Sequence, residues 1–327
     1  MFGDRFKSPG IEKERYGNIT MNRVKTITIV AWIITALALT GLVIFFITGT
    51  VFGFGAGRLG GNGFNFGVNI GFENLSGPFE VRGEYSVTDA SIDTIDIEWV
   101  AGEIRVHPHD GSDIRIIESA QRELRDNEVL RYTVRGNRLL IEFIESNHRF
   151  SVPRKNLEVL VPQELSVNLN SLEIDTVSGG VIVSELSVAS VNLESVSASI
   201  NASGEFSRVN LDNVSGAITL NNSAENSHVG VENVSGAINL SGSFADVEVS
   251  TVSGATTIAS TVIPASLNIS GVSGNVEIRV PLSDVIAVNH SSVSGRLNSE
   301  IPMMTQGGDA QFRISTVSGN THILALG

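Results

Sequence analysis

Four carboxylates recur at a nearly constant interval. Asp175, Glu194, Asp212 and Glu232 each stand two residues before a valine. If that interval is one layer of a stacked structure, the acids form a row with about 4.8 Å between neighbours. Such a row has three chemistries open to it. Its oxygens are ligands of the kind calcium takes. Opposed carboxylates can hydrolyse a glycosidic bond. Like charges that are neither shared nor opposed fan into solvent. Asp175, Glu194, Asp212 and Glu232 are therefore the candidate cation ligands, and calcium is the one ion they suggest. No catalytic residue is assigned.

The remaining chemistry-bearing residues give less. His107-Pro108-His109-Asp110 resembles a metal cluster, but Pro108 and Gly111 mark a surface turn and no third ligand is evident. His290 falls at an inward strand position, which suggests a core histidine or a register bulge. His148, His228 and His322 have no companions visible in the sequence. No Ser-His-Asp arrangement emerges, and the glycine-rich stretches lack the features of a phosphate or dinucleotide loop. The chain has no cysteine, which excludes disulfides, thiol nucleophiles and cysteine-ligated zinc. A net charge of −13 argues against nucleic acid as a partner.

The elements that would position the acids follow from a repeat. Val-Ser-Gly begins at Val177, Val214, Val234, Val252, Val272, Val293 and Val317, and Val-Ser-Ala begins at Val196. Five and three residues before each valine stand apolar residues such as Leu172/Ile174, Val209/Leu211 and Leu267/Ile269. That is the period of a strand. The alternation resumes after the glycine, as in Ile218/Leu220 and Ile238/Leu240. Each unit thus reads strand, corner, strand, loop, with glycine where a positive φ or a close approach excludes a Cβ. One unit cannot bury its own apolar face, whereas stacked units can. The fold class expected is all-β: a β-solenoid or β-helix-like rod with the valines lining the interior and the corner serines in a column. A large antiparallel sandwich is the alternative.

Ahead of the repeats, Ile95, Ile97, Trp99-Val100-Ala101-Gly102, Ile104 and Val106 match the repeat spacing as a divergent first rung. Leu130–Arg135 and Arg138–Phe143 read as a hairpin turning at Gly136-Asn137. Leu157–Pro162 closes a less regular N-terminal cap. From Thr26 to Gly57 there is no charged residue, and Ile27–Ile47 would span roughly 30 Å as a helix. This predicts one transmembrane helix, with a cleaved signal peptide as the rival. Arg5, Lys7, Lys13, Arg15, Arg23 and Lys25 precede it, which places the N-terminus in the cytoplasm and the β region outside. The expected divisions are a cytoplasmic head (1–26), transmembrane helix (27–48), glycine-rich linker (49–78), N-terminal β cap (79–162) and repeats (163–327).

The run Ile95–Val106, the Leu157–Pro162 step and the repeated Val-Ser-Gly unit resemble the DUF4097 family of bacterial proteins over roughly residues 90–327. The resemblance implies an envelope protein with a repetitive β fold and a proposed adhesin role. It implies no established enzymatic activity and carries over no catalytic residue. The leading functional expectation is a non-enzymatic surface module in the cytoplasmic membrane. Its partner classes are the membrane, an envelope polymer or protein ligand, and further copies of itself. An envelope sensor signalling through the head, and a polysaccharide-active enzyme using the acidic row, are the other two readings.

Overall fold

The computed structural model describes residues 77–143, 153–282, 285–305, 307 and 310–326. The expected head and transmembrane helix, and nearly all of the linker, lie outside the described residues. Among those that are described, no helix is long and apolar enough to cross a membrane. The first part of the chain forms β1 (Glu80–Val87), β2 (Thr94–His109), β3 (Ile114–Ala120), β4 (Arg131–Arg135), β5 (Arg138–Glu142) and β6 (Lys155–Pro162). A single helical turn, α1 (Gln163–Ser166), leads into the repeats. These comprise β7 (Leu169–Ser215), β8 (Ile218–Ser235), β9 (Ile238–Ser253), β10 (Thr256–Ser260), β11 (Ser266–Ser273) and β12 (Val276–Val280). The last elements are β13 (Ile286–Ser294), β14 (Leu297–Ser299), β15 (Met303–Met304), β16 (Gln311–Ser318) and β17 (Thr321–Ala325).

The repeats stack as parallel rungs, in register along each arm and shifted only between the arms, at Gly204/Arg208 and around Ser227. Residues before each corner pair with one another, as do residues after it. Val209 lies beside Val229, Val229 beside Val247, Val247 beside Leu267, and Leu267 beside Phe312. After the corner, Ile218 lies beside Ile238, Ile238 beside Thr256, and Thr256 beside Val276. These side chains form continuous buried columns. Burial of each Val, Leu or Ile contributes roughly 1.5–3 kcal/mol. The divergent first rung is present as read: β2 pairs with β7 from Thr94 to Val106, placing Gly102 on Gly179.

The corner glycines meet both conditions expected of them. Gly216, Gly236, Gly254 and Gly274 have φ between +131° and +142°. A Cβ on Gly254 would sit 2.0 Å from the Gly236 carbonyl oxygen. The corner serines form the expected column, Ser215 beside Ser235, then Ser253, Ser273 and Ser318.

One expectation fails. The Val-Ser-Gly valines do not line the interior: Val214, Val317 and Val293 are 37%, 48% and 84% exposed, and the other five are half-buried. Strand parity explains this. If the residues five and three before the valine point inward, so does the residue one before it, and the valine points out. The true inward residues there are polar: Thr176, Ser195, Asn213, Asn233, Thr251 and Thr316, all buried. Asn213 Nδ2 donates to Ala198 O at 2.9 Å, and Asn233 Nδ2 donates to Gly216 O and Gly236 O at 3.3 Å. This column is a polar seam that ties the corner carbonyls of adjacent rungs.

At the far end the rungs do not follow the order of the sequence. β16 pairs with both β11 and β13, and β17 with both β12 and β14. The Val317 rung is therefore inserted between those of Val272 and Val293, and the last rung in sequence is the penultimate rung in space. This order explains the inward-facing His290. In sequence order the imidazole would be buried between apolar rungs. In the observed order it occupies the terminal rung, half-buried, 3.4 Å from Thr321 Oγ1. Phe312 and Ile314, each 1% exposed, take the interior place instead.

The first end of the stack is closed by antiparallel strands. β4 and β5 form the expected hairpin, with a positive φ of 62° at Gly136. β3 joins β6 to β1. Here Trp99 and Phe143 meet edge to face at 4.8 Å, and Trp99 Nε1 donates to Lys155 O. Lys155 and Glu118 form an ion pair with both side chains fully buried.

Candidate functional site: an acidic column

The four acids singled out in sequence project from the outer face of the strands that precede the corners. Asp212 lies beside Glu232 in register. Asp175 and Asp212 both feel the charge of Glu194 between them. The column extends two residues further than the repeat revealed. Glu98 on β2 pairs with Asp175, and Glu142 on β5 pairs with Glu98. The signal for Glu98 was its place two residues before Val100. Glu142 sits in the hairpin and follows no repeat. Beyond Glu232 the same column continues as Ser250, Ser270, Ser315 and Ser291. The face is thus acidic over its first six rungs and hydroxyl-bearing afterwards.

Acid length alternates along the repeat-borne part: Asp, Glu, Asp, Glu. The shorter aspartates hold their carboxylates closer to the sheet, between longer neighbours. Loss of hydration, then the adjacent glutamates, push Asp175 and Asp212 up to about 6 from an ordinary 3.8. Glu98 and Asp96 are also raised, first by desolvation. Arg138 reaches Asp96 at 3.2 Å and Glu173, so one cation sits at the start of this face. The carboxylates stand side by side rather than facing one another across a cleft. Among the described residues, no three His, Asp or Glu side chains converge to hold a metal ion.

The histidines resolve individually. His107 Nε2 is 2.9 Å from Glu158 on β6, and His109 Nε2 is 2.7 Å from Asp113 O across the β2–β3 turn, each on its own partner. His228 does have a companion, Asp246 of the next rung at 2.8 Å. His148 lies outside the described residues.

The raised aspartates predict an unusual pH dependence. Above pH 6 both folded and unfolded chains are ionised at these sites, and the repulsion is fully present in the fold. As pH falls from about 6 toward 3.8 the folded chain takes up protons first, so stability rises. The melting temperature is expected to be higher at pH 5 than at pH 7.5. Asp175→Asn/Asp212→Asn should raise it at pH 7.5 and lose that advantage on acidification. A wild-type melting temperature that falls steadily from pH 7.5 to 5 contradicts this.

Comparison with known proteins bears on the whole stack. No curated protein matches the chain. A proposed adhesin from Bacteroides fragilis is 14% identical, with 77% of this chain and 98% of that chain covered and a TM-score of 0.48. A proposed cell adhesion protein from Clostridium sporogenes is 9% identical, covering 76% of this chain and 100% of that one, with a TM-score of 0.31. A proposed lipid-binding protein from Parabacteroides distasonis is 13% identical, covering 78% and 99%, with a TM-score of 0.37. A family model matches residues 92–323, from the divergent first rung into the final strand, and the chain belongs to the Toastrack DUF4097 family.

Proposed function

We propose that this chain is a non-enzymatic surface module. Residues 27–48 hold it in the cytoplasmic membrane with its N-terminus inside, and the β stack lies outside. The acidic column is its contact face for cationic groups on an envelope polymer or protein, with divalent cations as counterions. The observation that carries this reading is the registered row Glu142, Glu98, Asp175, Glu194, Asp212 and Glu232. Repetition of one charge at each rung suits a repeating ligand, because each added contact is intramolecular once the first has formed. The uncharged span Thr26–Gly57 and the six basic residues before it support the anchoring and orientation.

The test is binding of poly-L-lysine to the full chain in neutral detergent. Wild type is expected to bind at low salt and release at high salt. Asp175→Asn/Glu194→Gln/Asp212→Asn/Glu232→Gln should weaken binding by about tenfold or more. Equal affinity for the two chains would remove the column from the function.

A further inference from the structure

The two ends of the stack are guarded differently. At the first end, the outermost strands carry charges that oppose edge pairing: Glu80, Arg82 and Glu84 on β1, Arg131 and Arg135 on β4. At the other end the outermost strand before the corner is β13. It is bonded to β16 along one side. On its other side, among the described residues, β15 pairs with Ile286 and Ala287 and no further. Ile286 N–H donates outward to Pro302 O, and Ala287 N–H donates inward to Ala310 O. By alternation the N–H and C=O groups of Val288, His290 and Ser292 face outward. Among the described residues no strand pairs with them. The free segment, Asn289 to Ser294, contains no acidic residue, lysine or arginine.

The same end exposes apolar side chains: Leu282 at 71%, Val293 at 84%, and Val285, Met303 and Met304 beside them in sequence or register. It is also nearly neutral. Residues 261–327 hold four acids (Glu277, Asp284, Glu300, Asp309) and three arginines (Arg279, Arg296, Arg313), a net −1 within a chain of −13. Two copies repel one another through their acidic columns but not here. We propose that two copies of the chain join end to end through this terminal rung, β13 pairing antiparallel with β13 of the second copy about a two-fold axis. The axis reverses the strand, so the exposed Val293 of one copy comes to the end of β13 where Ile286 meets Met303 in the other. Apolar surface then covers apolar surface, and the open edge is closed by its own image. The contact leaves the acidic columns free, so it stands apart from the proposed binding function.

The experiment is the mass of the full chain in neutral detergent, by light scattering corrected for bound detergent. Wild type is expected to be a dimer. Asn289→Glu/Val293→Glu places like charges across the axis and should weaken self-association by at least about tenfold. Both residues are exposed, so the melting temperature of the isolated chain should hold. Asn239→Glu, on the outer face of β9, should remain dimeric, as should the four-amide variant of the column. A monomeric wild type overturns the proposal, and so does association that survives Asn289→Glu/Val293→Glu.

Discussion

Lys155→Met is expected to destabilise the fold by roughly 3–5 kcal/mol, the cost of leaving one charge of a buried pair without its partner. Lys155 Nζ lies 2.6 Å from Glu118 Oε1, with neither side chain exposed. It also donates to the carbonyl oxygens of Glu128, at 2.6 Å, and Phe143. The Phe143 ring centroid is 4.1 Å away and that of Trp99 is 5.2 Å away. Burial pushes the amine down to about 8 against the pull of Glu118, so it remains a cation at neutral pH. One ammonium thus joins β3, β6, the loop before β4 and the end of the hairpin. Without it the fully buried Glu118 loses its ion-pair partner Lys155 and keeps the Leu130 N–H as a donor. Glu118→Leu combined with Lys155→Met should recover part of the loss, since no unpaired charge is then buried. Urea unfolding at pH 7 measures all three chains. A loss under about 1 kcal/mol for the single variant contradicts the account.

Gly254→Ala is expected to cost about 3 kcal/mol or more, because two penalties combine. Its φ of +142° suits glycine, and the added Cβ would meet the Gly236 carbonyl oxygen at 2.0 Å. That oxygen belongs to the corner of the rung beneath, so relief requires two rungs to separate. Gly230 makes the contrast. Its Cβ would meet the end of a flexible side chain, Asn210 Oδ1, at 3.1 Å. Gly230→Ala should lie within about 0.5 kcal/mol of wild type. Comparable losses at the two positions would mean that the corner does not set rung spacing.

How far the sequence could be read depended on whether a residue's neighbours were local. The columns through Leu172/Ile174 and Val209/Leu211, the corner glycines, the Gly136 hairpin and the first rung at Val100 were legible because each is a periodic or turn signal. The facing of the valines is not legible because Thr176, Asn213 and Asn233 are polar and hide the parity of the strand. Rung order was invisible because every copy carries the same motif. His290 was the lone hint, an inward imidazole that fits only where one side of the rung is open. The Lys155–Glu118 pair spans 37 positions of chain with no pattern to announce it. Four of the six acids of the column, Asp175, Glu194, Asp212 and Glu232, are legible as a repeat. Glu98 is legible from its place two residues before Val100, whereas Glu142 joins only through strand pairing.

Registered stacking with an inserted final rung is the claim on which the acidic column and the open edge both rest. The chain has no cysteine of its own, so introduced pairs report position without background. Ser270 lies beside Ser315, and Ser315 beside Ser291, whereas Ser270 and Ser291 are two rungs apart, about 9–10 Å. On mild oxidation, Ser270→Cys/Ser315→Cys and Ser291→Cys/Ser315→Cys should each form an intrachain disulfide, and Ser270→Cys/Ser291→Cys should not, being beyond the reach of an S–S bridge. A bridge in the last pair and none in the first would show that the rungs follow the order of the sequence, and would contradict this structure.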